Sequence, residues 1–413
     1  ITVGKGANSV VSNTVLGVNA LDAAVTGNNN TALGYLTLTD NTDGVHNTAV
    51  GSQALTNNTG GDYNTAVGGQ ALYYTTTGQY NTGLGYDALQ DNVTGSHNTA
   101  VGYQSLDLNT GSNNTAVGSG SLGANTTGAQ NTAVGKNALL QTTTGIQNTA
   151  LGFEALYTPT TINNNTAVGY RALYANTTGT AGVAVGRETL VANTTGDGNT
   201  AIGDLALMSN TTGASNTAVG REALQNNTTA DNNTAIGDRS LESNTTGYEN
   251  VAIGVESMDT NTTGHTNTAV GYKALEANTT ANGNTACGAY ALYVNTDGTE
   301  NCAFGKSALG ANTGGDFNCA FGREALRLNT TGGENCAYGY EALEANTTGG
   351  GNIAIGYEAL AANTTGSQNI ALGHSALMTQ SGDTQNTAIG YEALKVCIGS
   401  KNVALGYRAG YDV

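Results

Sequence analysis

Five cysteines and four histidines are the residues of this chain best suited to chemistry, and their spacing limits what that chemistry can be. Cys302, Cys319 and Cys336 recur every 17 residues, Cys287 precedes them, and Cys397 stands apart. None sits in a C-x-x-C pair, so the usual zinc spacing is absent. An odd count also argues against a complete disulfide framework. Three thiols at one fixed interval occupy one place in a repeat. We read Cys287, Cys302, Cys319 and Cys336 as buried thiols serving as small core residues. A bridge between equivalent places in stacked coils is the alternative, under demanding geometry. His46, His97, His265 and His374 are too scattered to meet and are read as surface residues, so no metal or cofactor is expected.

Charged and aromatic residues follow the same interval. Glu154, Arg171 and Glu188 alternate in sign, as do Glu222, Arg239, Glu256 and Lys273. Opposite charges on neighbouring coils would contribute tenths of a kcal/mol to about 1 kcal/mol per pair. Glu324, Glu341 and Glu358 are like charges in a row, with Arg323 and Arg327 nearby to offset them; a cation site is the lesser alternative. The glycine- and aspartate-rich calcium nonapeptide is not matched. Tyr35, Tyr86, Tyr103, Tyr170, Tyr272, Tyr340, Tyr357, Tyr391 and Tyr407 share one repeat position and are read as covering a seam, with sugar stacking as the alternative. Asn-x-Thr triplets match the N-glycosylation acceptor but arise from the turn consensus. A glycan-cutting enzyme would need paired carboxylates in a groove, and no coil carries an insertion to build one. The chain is expected not to be an enzyme.

All of these residues are positioned by one repeat. An Asn-Thr-Ala-Val-Gly element or a variant starts 24 times between Asn13 and Asn402, and 21 of the 23 intervals are 17 residues. The intervals from Asn98 to Asn114 and from Asn386 to Asn402 are 16. The consensus is N-T-A-V-G-Y-x-A-L-x-x-N-T-T-G-x-x. Residues 1–12 read as a degenerate entry coil and 13–413 as a continuous repeat domain. Recurrent Gly, Asn and Thr disfavour helix, and Gly and Asn suit tight corners. The expected fold is all-β: a β-solenoid, or parallel β-roll, of about 24 coils. Each coil is expected to have two short strands, one at T-A-V-G and one around A-L.

The ninth position, Leu in 22 coils and Met258 in another, is the strongest core assignment, with Leu173, Leu190, Leu207, Leu224 and Leu241 representing it mid-chain. Burying one Leu stabilises by roughly 1.5–3 kcal/mol. Thr, Val, Cys and Ile exchange at the second position, which with the fourth is read as core-facing. The Ala of the third position, from Ala32 to Ala404, is then expected to face a neighbouring chain and to let copies pack closely as a parallel homotrimer. The leading Asn is expected to stack in a ladder.

Composition narrows the function. A net charge of −17 with no basic stripe argues against nucleic acid and against an anionic membrane surface. No apolar run is long enough for membrane insertion by this segment.

The N-T-A-V-G and N-V-A-I-G elements resemble the S-V-A-I-G element in the heads of trimeric autotransporter adhesins. The longer unit, as in residues 165–179, is similar to the shafts of phage-type tail fibres. The resemblance covers residues 13–413. It implies a left-handed parallel β-roll, a homotrimer, and a place outside the cell, on a cell surface or on a virion. The expected function is a structural fibre shaft or surface adhesin stalk that positions a receptor-binding tip, with a host-surface glycan or receptor as partner. An ice-binding or other repetitive surface-binding protein is the alternative, with the paired Thr of the thirteenth and fourteenth positions, such as Thr177 and Thr178, as its active face.

Overall fold

A computed structural model describes residues 3–4 and 10–411. The chain divides into two compact units, Ile1–Asp204 and Leu205–Val413. Both are built the same way, as parallel β-solenoid coils of 17 residues, and no helix occurs among the described residues. Each coil holds one three-residue strand. In the first unit these run from β2 (Thr14–Leu16) to β13 (Thr200–Ile202), and in the second from β14 (Thr217–Val219) to β25 (Val403–Leu405).

Stacked strands keep strict register. Thr149, Ala150 and Leu151 of one coil lie beside Thr166, Ala167 and Val168 of the next. The same register joins Thr234, Ala235 and Ile236 to Val251, Ala252 and Ile253 in the second unit. The shorter repeat is absorbed without a slip, since Thr99 still pairs with Thr115. Of the entry segment, residues 1–2 and 5–9 lie outside the described residues. Its β1 (Val3–Gly4) runs antiparallel to β2, unlike every coil-to-coil pairing described.

The alternation along each strand is the reverse of the expected one. Ala66, Ala133, Ala218 and Ala303 at the third position are wholly buried, while the residues on either side of each are partly or fully exposed. The Ala column is therefore interior to its own chain and does not face a neighbour. Its partner is the Leu column: a Cβ built on Gly83, which stands in this column, would lie 3.4 Å from Leu72 Cγ. Leu173, Leu190, Leu207, Leu224 and Leu241 are all buried, at most 1% exposed. With Leu filling the interior from across the coil, only a methyl group fits on the strand side.

Among the described residues the expected second strand is absent. From the sixth to the ninth position φ changes sign residue by residue, with Gln53 at 60° and Leu55 at 53°. A left-handed Leu cannot belong to a strand, yet the segment is still bonded between coils. Gln53 N–H donates to Tyr35 O at 2.8 Å and Leu55 N–H to Ala71 O at 2.9 Å, in opposite directions along the stack. This alternation lets so many non-glycine residues sit at positive φ, because each strained residue has its N–H satisfied by a neighbouring coil.

Two asparagine ladders close the coil. Asn47 N–H donates to Asn30 Oδ1 at 2.9 Å, and its Nδ2 donates to Gly61 O at 2.8 Å. Asn58, at the twelfth position, donates from Nδ2 to that same Gly61 O at 3.0 Å and to Asn41 Oδ1 at 2.7 Å. The first ladder is the expected one. The second is built from Asn that the sequence reading assigned to a turn. At the fifth position glycine is obligatory: Gly237 has φ 135°, and a Cβ there would meet Gly254 O at 2.4 Å.

Candidate functional site

The outward strand face is the most distinctive surface. Its two columns, the second and fourth positions, contain only Thr, Val, Ile, Leu, Cys, Phe and Tyr in all 24 coils, in a chain of net charge −17. Period-two geometry sends both columns away from the buried Ala. Leu84, Leu151, Ile236 and Ile353 are 46%, 47%, 39% and 40% exposed. In the first unit the face is mostly Thr beside an aliphatic. From β18 (Thr285–Cys287) to β23 (Ile370–Leu372) it becomes nearly all apolar, with Cys and Ile replacing Thr and an aromatic run replacing Val.

The thiols belong to this face. Cys287, Cys302 and Cys319 are partly exposed and Cys336 is exposed, so the four are not buried core residues. The reason is the reversed alternation: they stand at the second and fourth positions, where the strand faces outward. Cys397 is the buried thiol. Burial, followed by the neighbouring Cys319, raises the thiols of Cys302 and Cys336 above the ordinary range.

Aromatic rings form columns along other edges. His46, Tyr63, Tyr80 and His97 stack in succession with centroids 4.9, 5.1 and 4.9 Å apart. The two histidines do not touch, but the tyrosines between them make one four-ring stack. The signal was in the sequence, since all four share the seventeenth position. A second column runs through Tyr340, Tyr357, His374, Tyr391 and Tyr407 at 5.2, 4.9, 5.1 and 5.4 Å. Rings inside a stack have both faces covered by neighbours, so a sugar ring could lie flat only on the terminal members.

The seventh-position charges pair across coils in part. Arg171 Nε lies 2.8 Å from Glu154 Oε2, Lys273 Nζ lies 2.8 Å from Glu256 Oε2, and Arg239 also meets Glu256. Arg323 and Arg327 pair with Glu324 at 2.9 and 3.7 Å. Glu341, Glu344 and Glu358 line a shallow groove of about 380 Å³. Among the described residues no three His, Cys, Asp or Glu side chains are grouped to hold a metal ion. A larger groove of about 660 Å³ in the first unit is lined by Tyr74, Asp91, Val93, Leu108 and Thr110, among others. Ser375 Oγ is 2.9 Å from His374 Nδ1, but Ser375 is buried, which closes that hydroxyl to a substrate.

The acceptor triplets and the Thr corner are spent on structure. Asn176, Asn227 and Asn244 are buried with their amides bonded within the ladder, so the folded coil presents no free amide there for glycosylation. Thr177 Oγ1 donates to Thr194 O at 2.9 Å, as Thr245 does to Thr262 O at 3.0 Å, tying that face to its own backbone. No helix among the described residues is long and apolar enough to cross a membrane. Compared with known proteins, the chain matches no family model and no curated protein.

Proposed function

We propose that the chain is a structural fibre shaft or surface adhesin stalk. In this reading copies associate side by side as a parallel homotrimer through the outward strand face, and the assembly works on a cell surface or virion, where it holds a receptor- or glycan-binding tip. The observation that carries this reading is the absence of any charge from both columns of that face. Soluble chains rarely leave a long apolar strip open to water, and such strips mark interaction surfaces. Twelve coils in either unit, at about 4.8 Å each and a face about 10 Å across, offer roughly 600 Å² per unit. That is of the order of the ~800 Å² each partner buries in a standard interface. The role needs no catalytic centre, and uniform coils suit a part whose task is length and stiffness. Sedimentation equilibrium of the full chain at micromolar concentration tests the reading: three chain masses support it, and one chain mass rejects it.

A second reading is favoured by the Thr ranks of the first unit. Thr65, Thr82, Thr99 and Thr115 point outward beside Val67, Leu84, Val101 and Val117, one rank of each per coil. A regular array of hydroxyls and methyls can order water, as an ice-binding face must. Thermal hysteresis from a monomeric chain would favour this reading over the shaft.

A further inference from the structure

We propose that Cys302, Cys319 and Cys336 form a redox ladder in which Cys319 closes a disulfide with either neighbour, so that one bond can occupy two places. Cys302 is the register partner of Cys319, and Cys319 that of Cys336. All three alternate with the buried Ala303, Ala320 and Ala337 and so share the outward face. In-register neighbours in a sheet are about 4.8 Å apart, inside the roughly 4.4–6.8 Å that Cα atoms of a disulfide span. Cys302 and Cys336 are two coils apart, about 9.6 Å, beyond the ~7 Å limit. Cys319 alone has a thiol within reach on both sides.

Partial exposure admits a small soluble disulfide as oxidant. The Cys319 thiolate attacks one sulfur of that disulfide and expels the first small thiolate, leaving a mixed disulfide. The thiolate of Cys302 or Cys336 then attacks the Cys319 sulfur and expels the second. Two protein thiols lose two electrons to the small disulfide, which leaves as two thiols carrying the two protons. Because burial raises the Cys302 and Cys336 thiols, closure is faster at alkaline pH. The thiol left over sits one coil from the new bond and can attack it, moving the bond along the ladder. The geometry is that of a single chain, but the three thiols lie on the face through which we propose that copies associate, so the reaction belongs to the chain whose face is open to solvent.

The test uses the full chain carrying Leu151→Asp and Ile236→Asp, with one chain mass verified so that the face is open, and oxidised glutathione at pH about 8, where thiols are more ionised than at neutral pH, followed by alkylation and peptide mapping. Cleavage after Lys306, Arg323 and Arg327 puts the three cysteines on separate peptides. The expected result is two isomers, 302–319 and 319–336, with the alkyl group on Cys336 or Cys302 and never on Cys319. Cys319→Ser should lose the ladder disulfide, while Cys302→Ser should keep 319–336. The proposal is overturned by alkylated Cys319, by a ladder disulfide surviving Cys319→Ser, by a stable glutathione adduct without closure, by cross-links between chains on a non-reducing gel, or by thiols that stay unreacted.

Discussion

Asn58 and Thr75 hold the same place in successive coils, and each is left with a buried side-chain oxygen that has no hydrogen-bond partner. Asn58 still donates to Asn41, but the coil that follows offers it no amide in return. Asn125 and Thr142 repeat the defect. An orphaned buried acceptor costs on the order of 1–3 kcal/mol. Thr75→Asn, which supplies the missing amide, should therefore raise stability by about 1 kcal/mol. Chemical denaturation at neutral pH checks it: an unchanged or lower midpoint would mean that the second ladder does not contribute as described.

The interior assignment separates neighbouring residues on one strand. Ala235→Leu should overpack the coil against the Leu column and cost about 1–3 kcal/mol, while Thr234→Val, one residue away and facing outward, should be near neutral. Leu207→Asp, which puts an unpaired charge in the narrow interior, should unfold several coils. Thermal melts followed by circular dichroism distinguish the three. A tolerated Ala235→Leu together with a damaging Thr234→Val would mean that the faces are reversed.

Much of the fold is readable from the sequence. The repeat length, the parallel stacking, the Leu column and the first Asn ladder all follow from periodicity. The strand faces do not, because period two says that Thr217 and Val219 oppose Ala218 without saying which side is in. Exchange of Thr for Val, Cys or Ile suggests a compact core site. It is in fact the freedom of an outward β position, which also admits Phe304 and Tyr338. The near-invariant Ala was the constrained residue, since only a methyl group fits opposite Leu. Likewise the Leu column gave no sign that Leu55 would be left-handed, because that conformation is fixed by hydrogen bonds from neighbouring coils.

Two carboxyls give the chain a pH dependence. Burial, then the nearby Glu242, pushes Asp259 up to about 6. Burial, then Asp87 and Asp91, does the same for Asp107, also to about 6. A carboxyl whose folded pKa lies above its unfolded value of about 4 holds its proton more tightly when folded. The stability it contributes is full below pH about 4 and is lost as pH rises to about 6. Asp259→Asn should then stabilise at pH about 7, by roughly 1 kcal/mol after solvent screening, and have little effect at pH about 4. Melting temperatures of both proteins at the two pH values decide it; an equal shift at each would remove the titration as the cause.

The glycine column should tolerate nothing larger. Gly237→Ala brings a Cβ within 2.4 Å of Gly254 O at a φ of 135°, so backbone and not only a side chain must move. The loss should exceed in size the ~1 kcal/mol that Gly→Ala can gain at a site whose backbone alanine adopts without strain. Gly314→Ala, where a Cβ would meet nothing within 4 Å, is the matched control. Equal denaturation midpoints for the two variants would contradict the close approach of the coils.

The central claim is that the uncharged strand face joins copies of the chain, and charge placed on that face tests it most directly. Leu151 and Ile236 are 47% and 39% exposed, one in each unit, and neither contributes to the interior. The mass of the full chain carrying Leu151→Asp and Ile236→Asp should be measured by mass photometry beside the wild type, with a thermal melt of each. The account predicts three chain masses for the wild type and one for the variant, whose coils remain folded. A wild type already at one chain mass, or a variant that keeps three, would contradict it.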